Sequence, residues 1–475
     1  MRDTTQSSQV PSIFRAYDIR GVYPDEIDET VTRQIGMAFA RHVKKTEGVS
    51  QPHILVSRDA RLSSPLLTAA FIEGLFAEGA RVTDAGLTTT PMHYFGINAL
   101  GTDGGAMITA SHNPPLYNGI KLSGKNAVPI GAGSGLEEIA RLSAEISATA
   151  TPLHVNSAAI ERRSIDLAPS YVDYLITLLG NPDARTFEGI RIAVDAGNGM
   201  AGPVLPYIFE RLGITYYPLY FEPDGAMPHH EANPAKEETL EDLRTVIKES
   251  AQRRSPQEAA TIGAAFDGDG DRIGFLTHQG EHIRGDIVVG ILGVDLVRRH
   301  PGAGVVYTTV SSRLIPEAIE RAGGRAIQSR VGSRFVPEVM RAHGALFGGE
   351  YSGHYFFKEF FYRESAMLTM LQMLLLLKRG SRSLKDLAVP FQKSSYCEVS
   401  VPVSEGEKAV RVERLAAAFV KHVASRLDGV TVEFPGWWFN VRPSNTEPLL
   451  RLVIEAPDDT TLEEKRQMLG AMIRD

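Results

Sequence analysis

The chain of 475 residues is predicted to have an α/β fold made of several domains. Its length is roughly three times that of an average domain of ~150 residues. Segments with the composition of buried strands alternate with segments of helical length through about three quarters of the chain. A hydrophobic content of 43% is that of an ordinary globular core. Together these observations predict α/β domains in series.

The predicted strands are short apolar runs, and the predicted helices are longer periodic segments. The strands are residues 54–56, 106–108, 190–194, 261–265 and 305–308. The helices include residues 287–298 and 366–378. The most apolar part of the second helix is too short to cross a bilayer, so it predicts a buried helix. Polar stretches near residues 162, 284–286 and 392–394 predict the boundaries between domains.

A run of alternating aspartates at residues 267–272 is the motif with the fewest alternative explanations. Asp267, Asp269 and Asp271 alternate with glycines, so the backbone must turn sharply and cannot form a regular amphipathic helix. The preceding residues 259–266 are small and apolar, which predicts a buried strand. Open α/β sheets place their sites at the carboxyl ends of strands, where this loop would lie.

The alternating carboxylates predict a site for Mg²⁺. An EF-hand calcium loop requires glycine at its sixth position and glutamate at its twelfth, where this chain has Arg272 and His278. Three oxygen ligands with open coordination positions suit Mg²⁺ shared with a phosphate. The alternative is a solvated acidic turn, which is disfavoured because three bunched carboxylates repel one another unless a cation offsets them.

Ser111 stands where an apolar strand-like segment meets a proline-containing loop. The pair Asn113-Pro114 initiates a turn and predicts a stiff, exposed loop that holds the hydroxyl in one place. His112 suggests a serine hydrolase, but adjacent side chains of an extended segment point to opposite faces, and no Gly-x-Ser-x-Gly elbow is present. Taken alone, Ser111 is equally well explained as a turn hydroxyl. With the three aspartates, it predicts metal-assisted phosphoryl transfer through a serine.

Two further polar clusters predict substrate contacts. Glu350, Ser352 and His354 offer a carboxylate, a hydroxyl and an imidazole in five residues, a set suited to reading a polyol, although alone it is better explained as a surface turn. A later loop concentrates cationic, hydroxyl and amide donors and predicts an anion cradle. Its members are Arg442, Ser444, Asn445 and Thr446, with Arg451 just beyond.

The motifs, in this order, resemble those of the α-D-phosphohexomutase superfamily, most closely its phosphomannomutase/phosphoglucomutase branch. The resemblance covers nearly the whole chain. Residues 109–114 match the phosphoserine loop, 267–272 the magnesium loop, 350–354 the sugar-specificity loop and 442–446 the phosphate loop. Further matches are residues 17–21, 118–121 and 194–199.

The resemblance implies three related α/β domains with mixed sheets and a smaller α+β C-terminal domain around a central cleft. The implied division is residues 1–162 for the phosphoserine loop, 163–285 for the magnesium loop, 286–392 for sugar recognition and 393–475 for phosphate binding.

The resemblance also implies reversible transfer of phosphate between carbons 1 and 6 of a hexose phosphate, mannose and/or glucose. The transfer would pass through phospho-Ser111 and a hexose 1,6-bisphosphate, which would also act as activator. Mg²⁺ would be held by Ser111, Asp267, Asp269 and Asp271. The implied catalytic residues are Ser111, Arg20, His112, Lys121, Arg272 and His354, with Lys121, His354 and Arg20 left open as the general base. The implied substrate contacts are Tyr17, Glu350, Ser352, His354, Arg442, Ser444, Asn445, Thr446 and Arg451.

Two departures from the family pattern concern the sugar. Residues 330–334 replace a Gly-His pair that many relatives carry, and residues 363–366 replace an Asp-Gly or Asp-Ser pair. We therefore expect the general reaction to be that of the family, and the preferred sugar to differ from that of many relatives. The main alternative is a phosphoglucosamine mutase. A sugar-phosphate phosphatase and a non-catalytic sensor are disfavoured because the full set of motifs is present.

Other residues have structural or limiting interpretations. His229 and His230 are interpreted as structural because adjacent histidines rarely chelate one ion well. The loop at residues 58–61 is expected near the phosphoserine, in a structural or functional role.

The single cysteine, Cys397, excludes internal disulfides and suits a reducing compartment. A net charge of −7 argues against nucleic acid as a partner. Without a signal-peptide pattern or an apolar segment of spanning length, the chain is expected to be cytoplasmic, off the membrane, and a monomer or homodimer.

Overall fold

A computed structural model describes residues 13–148, 162–183, 185–253, 259–380, 382–444 and 448–474. The described residues fall into two compact units. The first unit comprises residues up to 282 together with Glu359–Lys378, and the second comprises Ile283–Lys358 and residues from 379 onward. No helix among the described residues is long and apolar enough to cross a membrane.

The first sheet positions the serine loop. Its elements and the helices between them are β1 Ile19–Val22, α1 Glu29–Glu47, β2 His53–Arg58, α2 Ser64–Ala77, β3 Arg81–Leu87, α3 Thr90–Leu100, β4 Gly104–Ile108, β5 Tyr117–Gly124, β6 Pro129–Ile130, α4 Leu136–Ala148 and β7 Arg162–Ser164. The strand order is β1-β5-β4-β2-β3-β7, with β6 paired to β5. Strand β4 runs parallel to β2 and antiparallel to β5, and β1 runs antiparallel to β5. The carboxyl ends of β2 and β4 therefore lie at the same edge as the first residues of β5.

Helix α3 is well defined at both ends. The Thr89 side chain caps it by accepting a hydrogen bond from the amide of Met92, and Pro91 occupies its first turn, where a missing N–H costs nothing. Gly101 ends the helix at φ +61°, a left-handed conformation that favours glycine. The first turn of α3 is thus held in a fixed position beside the sheet.

The second sheet carries the aspartate run as a hairpin loop. Its elements are α5 Ala168–Leu178, β8 Arg191–Asp195, α6 Leu205–Leu212, β9 Thr215–Leu219, α7 Glu241–Arg253, β10 Ile262–Phe266, β11 Ile273–Thr277 and β12 His282–Ile283. The strand order is β12-β11-β10-β8-β9. All of β10 is buried, and Phe266 pairs with Ile273 across the antiparallel β10–β11 hairpin. The prediction of a buried strand that delivers the aspartates at its carboxyl end is confirmed.

The third group of elements repeats this alternation. It contains α8 Gly285–Arg299, β13 Gly304–Thr308, α9 Leu314–Arg321, β14 Arg325–Ser329, α10 Phe335–His343, β15 Phe347–Gly349, β16 Tyr355–Phe357, β17 Arg363–Glu364, α11 Ala366–Arg379 and α12 Leu384–Ala388. In the second unit the strands run in the order β14-β13-β15-β16, with the last pair antiparallel. Residues 350–354 form the loop of that hairpin. Helix α11 is buried along most of its length, as predicted.

The fourth sheet is antiparallel throughout. Its elements are β18 Ser395–Pro402, α13 Lys408–Ala418, β19 Val423–Ser425, β20 Val430–Phe434, β21 Trp437–Pro443, β22 Leu449–Ala456 and α14 Asp459–Arg474, and the strand order is β18-β22-β21-β20-β19. Trp437 stacks on Phe434, and Trp438 is buried with its Nε1 donating to Glu455. Three mixed sheets with helices and an antiparallel fourth confirm the α/β prediction.

Candidate active site

Ser111 lies three residues beyond the end of β4 and is almost completely buried, with 1% of its surface exposed. Its Oγ donates to Asp267 Oδ2 at 2.7 Å and lies 3.2 Å from His112 Nδ1. The prediction of an exposed loop was therefore wrong for this side chain. The argument that Ser111 and His112 point to opposite faces was also wrong, because Ser111 has φ +53° and the chain is not extended there.

The loop that carries Ser111 is held by one buried arginine. Arg61 Nη2 donates to the carbonyl oxygens of Ser111 and Asn113 at 2.9 and 2.5 Å. Its Nη1 donates to those of Pro114 and Tyr117 at 2.8 and 2.9 Å. A guanidinium suits this task because its five N–H donors form a fixed planar fork. The sequence left the role of this arginine open, and the structure shows that it contacts the serine loop directly.

The three aspartates converge in the buried interior of the first unit. One carboxylate oxygen from each of Asp267, Asp269 and Asp271 lies within 4.8 Å of the others. Asp267 Oδ1 accepts hydrogen bonds from the amides of Asp271 and Arg272 at 3.0 and 3.1 Å. Burial, followed by the charges of Asp271 and Asp269, raises the pKa of Asp267 well above its ordinary value. The cluster therefore carries an electrostatic cost that a cation would relieve.

The close approach of this loop to its neighbours requires glycine at two positions. A Cβ on Gly268 would lie 2.6 Å from the carbonyl oxygen of Ser111, so a side chain there would separate the two loops. Gly270 has φ +70°, which brings the third carboxylate back toward the first. The alternation of aspartate and glycine thus has a geometric reason.

Lys121 and Thr90 complete the surroundings of the aspartates. Lys121 Nζ donates to Asp269 Oδ2 at 2.6 Å and to Asp271 Oδ2 at 2.5 Å. Burial alone would lower the pKa of Lys121, but Asp269 and Asp271 outweigh it and raise the pKa well above its ordinary value. Thr90 Oγ1 donates to Asp269 Oδ2 at 2.7 Å. Lys121 is therefore held as a cation in this arrangement.

The donor set fits a hard divalent cation. Asp269 Oδ1 is buried and has no hydrogen-bond partner among the described residues. An unpaired buried carboxylate oxygen is costly, and an oxygen-ligated cation satisfies it. With the other two carboxylates and the Ser111 hydroxyl nearby, the cluster can hold a metal ion.

Arg20 and Arg272 lie beside the same site. Arg20, on β1, donates to Asn113 Oδ1 at 2.6 Å and pairs with Asp18 at 2.5 Å. Burial alone would lower the pKa of Arg20, but Asp18 outweighs it and raises the pKa. Tyr17 is half-buried just before β1. Arg272 Nε lies 3.8 Å from Asp267 Oδ2.

The sugar-reading set lies in the second unit and is already tied together. Glu350 is buried, and its Oε1 accepts from the amide of Gly332 at 2.6 Å. Its Oε2 lies 3.2 Å from His354 Nδ1, which is also 3.0 Å from Ser352 Oγ. These contacts orient the three side chains. The Gly332 contact also places the loop at residues 330–334, which differs from the family pattern, next to the Glu350 carboxylate.

The anion-binding set lies on the hairpin β21–β22 of the second unit. Arg442 and Arg451 are directly opposite each other on the two strands, and Arg442 Nε is buried without a hydrogen-bond partner among the described residues. Like charges directly opposite are destabilising; Glu398, 3.7 Å from Arg451, offsets part of this repulsion, and an anion between the two arginines would offset more of it. Ser444 is buried, and its carbonyl accepts from Lys408 Nζ at 3.1 Å. Asn445 and Thr446 lie outside the described residues.

The structure thus gathers the predicted residues into three groups. Arg20, Ser111, His112, Lys121, Arg272 and the three aspartates meet in the first unit. Glu350, Ser352 and His354 form a second group, and Arg442, Ser444 and Arg451 a third. His229 and His230 join none of them. His229 bonds Asn198 and stacks on Tyr220, and both ring nitrogens of His230 bond protein oxygens.

Comparison with known proteins identifies the family of the chain. Models of the phosphoglucomutase/phosphomannomutase family match the chain in four stretches. They are α/β/α domain I at residues 11–149, domain II at 169–280, domain III at 284–393 and the C-terminal domain at 398–470.

Full-length relatives point the same way. Proteins named "Phosphohexose mutases" from Xanthomonas campestris pv. campestris and "Phosphomannomutase/phosphoglucomutase" from Pseudomonas aeruginosa are each 35% identical over 465 residues. The matches cover 97% of this chain and 99% and 95% of those proteins. A crystal structure of a phosphoglucomutase/phosphomannomutase family protein from Burkholderia thailandensis superposes with a TM-score of 0.84 at 31% identity, covering 97% of this chain and 98% of that one. The chain belongs to the phosphoglucomutase/phosphomannomutase family and is a phosphohexomutase.

Proposed function

We propose that this enzyme interconverts the 1- and 6-phosphates of a hexose, mannose and/or glucose, through a phosphoryl group carried on Ser111. The observation that carries the proposal is the contact of Ser111 Oγ with Asp267 at 2.7 Å inside a buried triad of carboxylates. A structural serine has no need of three buried carboxylates, whereas a phosphoserine paired with a divalent cation does.

In the first half-reaction, a hydroxyl oxygen of the hexose monophosphate attacks phospho-Ser111. The bond from phosphorus to Ser111 Oγ breaks as the bond from phosphorus to the sugar oxygen forms. The hydroxyl proton passes to a base, the Ser111 oxygen leaves with the bonding electron pair and takes up a proton, and a hexose 1,6-bisphosphate results. In the second half-reaction the bisphosphate, turned end for end, returns its other phosphate to Ser111 by the reverse steps.

The residues around Ser111 divide the electrostatic work. Asp267, Asp269 and Asp271 would hold Mg²⁺, which when bound supplies charge neutralisation to the transferring phosphoryl group. Arg20 and Arg272 add fixed positive charge at the rim. Arg61 holds the serine loop still, which favours in-line geometry because misplacement of a reacting atom is costly.

The general base stays open among Lys121, His354 and Arg20. Asp269 and Asp271 raise the pKa of Lys121, so Lys121 is a poor base while it contacts them. An arginine is a poor base because its guanidinium stays protonated. His112, 3.2 Å from Ser111 Oγ, serves as a hydrogen-bond partner of the serine.

Substrate recognition is assigned to the two groups of the second unit. The opposed Arg442 and Arg451, with Ser444, Asn445 and Thr446, would bind the phosphate that is not reacting. Glu350, Ser352 and His354 would bind sugar hydroxyls, and Tyr17 would contact substrate from the first unit. The same anion cradle could bind a phosphate on carbon 1 or on carbon 6, and so would serve both orientations of the bisphosphate.

Four further parts of the proposal come from the sequence. Hexose 1,6-bisphosphate is expected to activate the enzyme by restoring the phosphoserine. A cytoplasmic location and a monomer or homodimer stay predictions, as does the division of the chain into four domains.

The proposal is tested by a coupled assay of the Mg²⁺-loaded protein with a trace of hexose 1,6-bisphosphate. The substrates are mannose 1-phosphate, glucose 1-phosphate and glucosamine 1-phosphate, and free phosphate is measured in parallel. Turnover of the first two to their 6-phosphates supports the proposal and measures the preference. Activity on the third alone would reassign the enzyme to amino-sugar phosphates, and release of free phosphate alone would make it a phosphatase.

A further inference from the structure

An ion pair that takes no part in the proposed chemistry is buried in the first unit. Arg363 and Glu364, on β17, are 4% and 2% exposed, and Arg363 Nη2 donates to Glu364 Oε1 at 3.1 Å. The Tyr94 hydroxyl donates to the same oxygen at 3.1 Å, and the Arg363 guanidinium lies 3.9 Å from the Tyr94 ring centroid. Tyr94 belongs to α3, so the pair grips that helix by a hydrogen bond and a cation–π contact together.

Stability alone is a poor explanation for this ion pair. Arg363 Nε and Nη1 and Glu364 Oε2 are buried with no hydrogen-bond partner among the described residues. A buried ion pair with unsatisfied atoms is often no more stable than apolar residues of the same volume. The pair instead fixes the position of Tyr94, because its planar carboxylate and guanidinium groups determine where the Tyr94 hydroxyl and ring can lie.

Tyr94 stands one helical turn after Thr90, on the same face of α3. Thr90 holds the metal-binding loop at two points. Its amide donates to the Asp269 carbonyl at 2.8 Å, and its Oγ1 donates to Asp269 Oδ2 at 2.7 Å. The neighbouring Thr89 side chain is so near Gly270 that a Cβ there would lie 3.0 Å from it. A shift of the first turn of α3 therefore displaces Asp269 directly.

We propose that Arg363 and Glu364 are positioning residues for the metal site, acting through Tyr94 and the first turn of α3 on the Asp269 carboxylate. This inference rests on the proposed function, since it takes Asp267, Asp269 and Asp271 to be the metal ligands. The segment Glu359–Lys378 would then position a metal ligand, although it is remote in sequence from the aspartate loop. It would do so by fixing the geometry of the Asp269 carboxylate.

The test uses two nearly isosteric variants of the full-length enzyme, Tyr94→Phe and Glu364→Gln. Tyr94→Phe removes only the hydroxyl and keeps the ring under Arg363. Mg²⁺ binding is measured by calorimetry and Mn²⁺ binding by electron paramagnetic resonance, without substrate. We expect each variant to weaken metal binding by roughly tenfold, the lower end for residues that support metal ligands. The activity lost at low Mg²⁺ should return largely at saturating Mg²⁺.

A matched control is Tyr174→Phe. The Tyr174 hydroxyl also donates to segment Glu359–Lys378, at the carbonyl of Glu359 at 2.7 Å. Tyr174 lies on α5, and among the described residues its ring packs against Phe95, Phe360 and Phe361 rather than against residues 267–272. Melting temperatures of the metal-free proteins separate folding from positioning. Metal affinity within twofold of wild type in both site variants, whatever the change in melting temperature, would overturn the inference. Absence of metal binding in the wild type would instead overturn the proposed function.

Discussion

At the scale of single residues, Ser111 shows how a short motif gains meaning from its surroundings. The sequence assigned it a hydroxyl in a stiff loop, but burial against Asp267 is what distinguishes it from an ordinary turn serine. Arg61 shows the converse. The pattern Arg-Asp-x-Arg at residues 58–61 does not predict that the Arg61 guanidinium binds four carbonyl groups of the serine loop. These carbonyl groups lie about fifty residues away in the chain.

Ser111→Ala is expected to fold normally and to lose mutase activity by about a thousandfold or more, because it removes the hydroxyl proposed to carry the phosphoryl group. The measurement is turnover of mannose 1-phosphate, with transfer of radiolabel from hexose 1,6-bisphosphate to the protein. Ser170→Ala, on α5, should retain both. Persistent labelling of Ser111→Ala would remove the serine from its role.

Asp269→Asn is expected to weaken Mg²⁺ binding by at least about tenfold, because it removes a charged oxygen ligand from a three-carboxylate site. Calorimetric titration of the purified proteins measures the change. Asp295→Asn, which breaks a surface pair with Arg299, is the control and should bind as wild type does. Equal affinities in Asp269→Asn and wild type would contradict the assignment of the ligands.

His230 predicts a dependence of stability on pH. His230 Nε2 donates a hydrogen bond to Asp195 Oδ2, and this contact raises the pKa of His230 from 6.5 to about 9 in the folded protein. The folded state therefore holds its proton more tightly than the unfolded chain does. Its contribution is fully present below pH 6.5 and is lost as the pH rises through about 9. The free energy of unfolding is measured in urea at pH 6, 7.5 and 9.5. The amount by which wild type is more stable than His230→Gln should shrink as the pH rises. A constant difference would show that the pKa is not raised.

At the scale of elements, the loops at residues 267–272 and 350–354 each connect the two strands of an antiparallel hairpin. They follow β10 and β15, and each hairpin closes with its strands in continuous register. A hairpin brings its two ends together, so its loop is held at two points. This explains how polar residues in loops can be fixed firmly enough for recognition.

Gly199→Ala is expected to weaken both metal binding and activity. A Cβ there would lie 2.7 Å from the carbonyl oxygen of Gly268 and would push the metal loop away from the loop at residues 195–200. Gly406→Ala is a suitable control, since a Cβ at Gly406 meets no atom within 4 Å. Metal titration and thermal melting check the expectation, and unchanged metal affinity in Gly199→Ala would show that the metal loop tolerates the displacement.

At the scale of the whole molecule, charge sets a condition on substrate binding. The chain carries a net charge of −7, yet its proposed substrate is a dianion. Local cations such as Arg442 and Arg451 must therefore attract the substrate against the overall field.

Raising the ionic strength from about 0.05 to 0.3 M is expected to raise the KM for mannose 1-phosphate several-fold, because screening lengths fall to about 10 Å or less. Arg442→Gln should show a higher KM with a shallower dependence on salt. Steady-state assays at fixed free Mg²⁺ measure both. A wild-type KM independent of salt would argue that the arginines do not contact the phosphate.

The sequence by itself determined the α/β class and the buried strand before the aspartates, and it predicted an aspartate cluster suited to a metal ion, because these depend on local composition and spacing. The family followed from the resemblance of the ordered motifs. Only the tertiary structure decided that Ser111 is buried, that Arg61 holds its loop, and that Arg363 and Glu364 grip α3 beside Asp269. Those contacts join residues 50 to 270 positions apart, and such distances in sequence leave no periodic signal. The shared central cleft stays a prediction of the family resemblance.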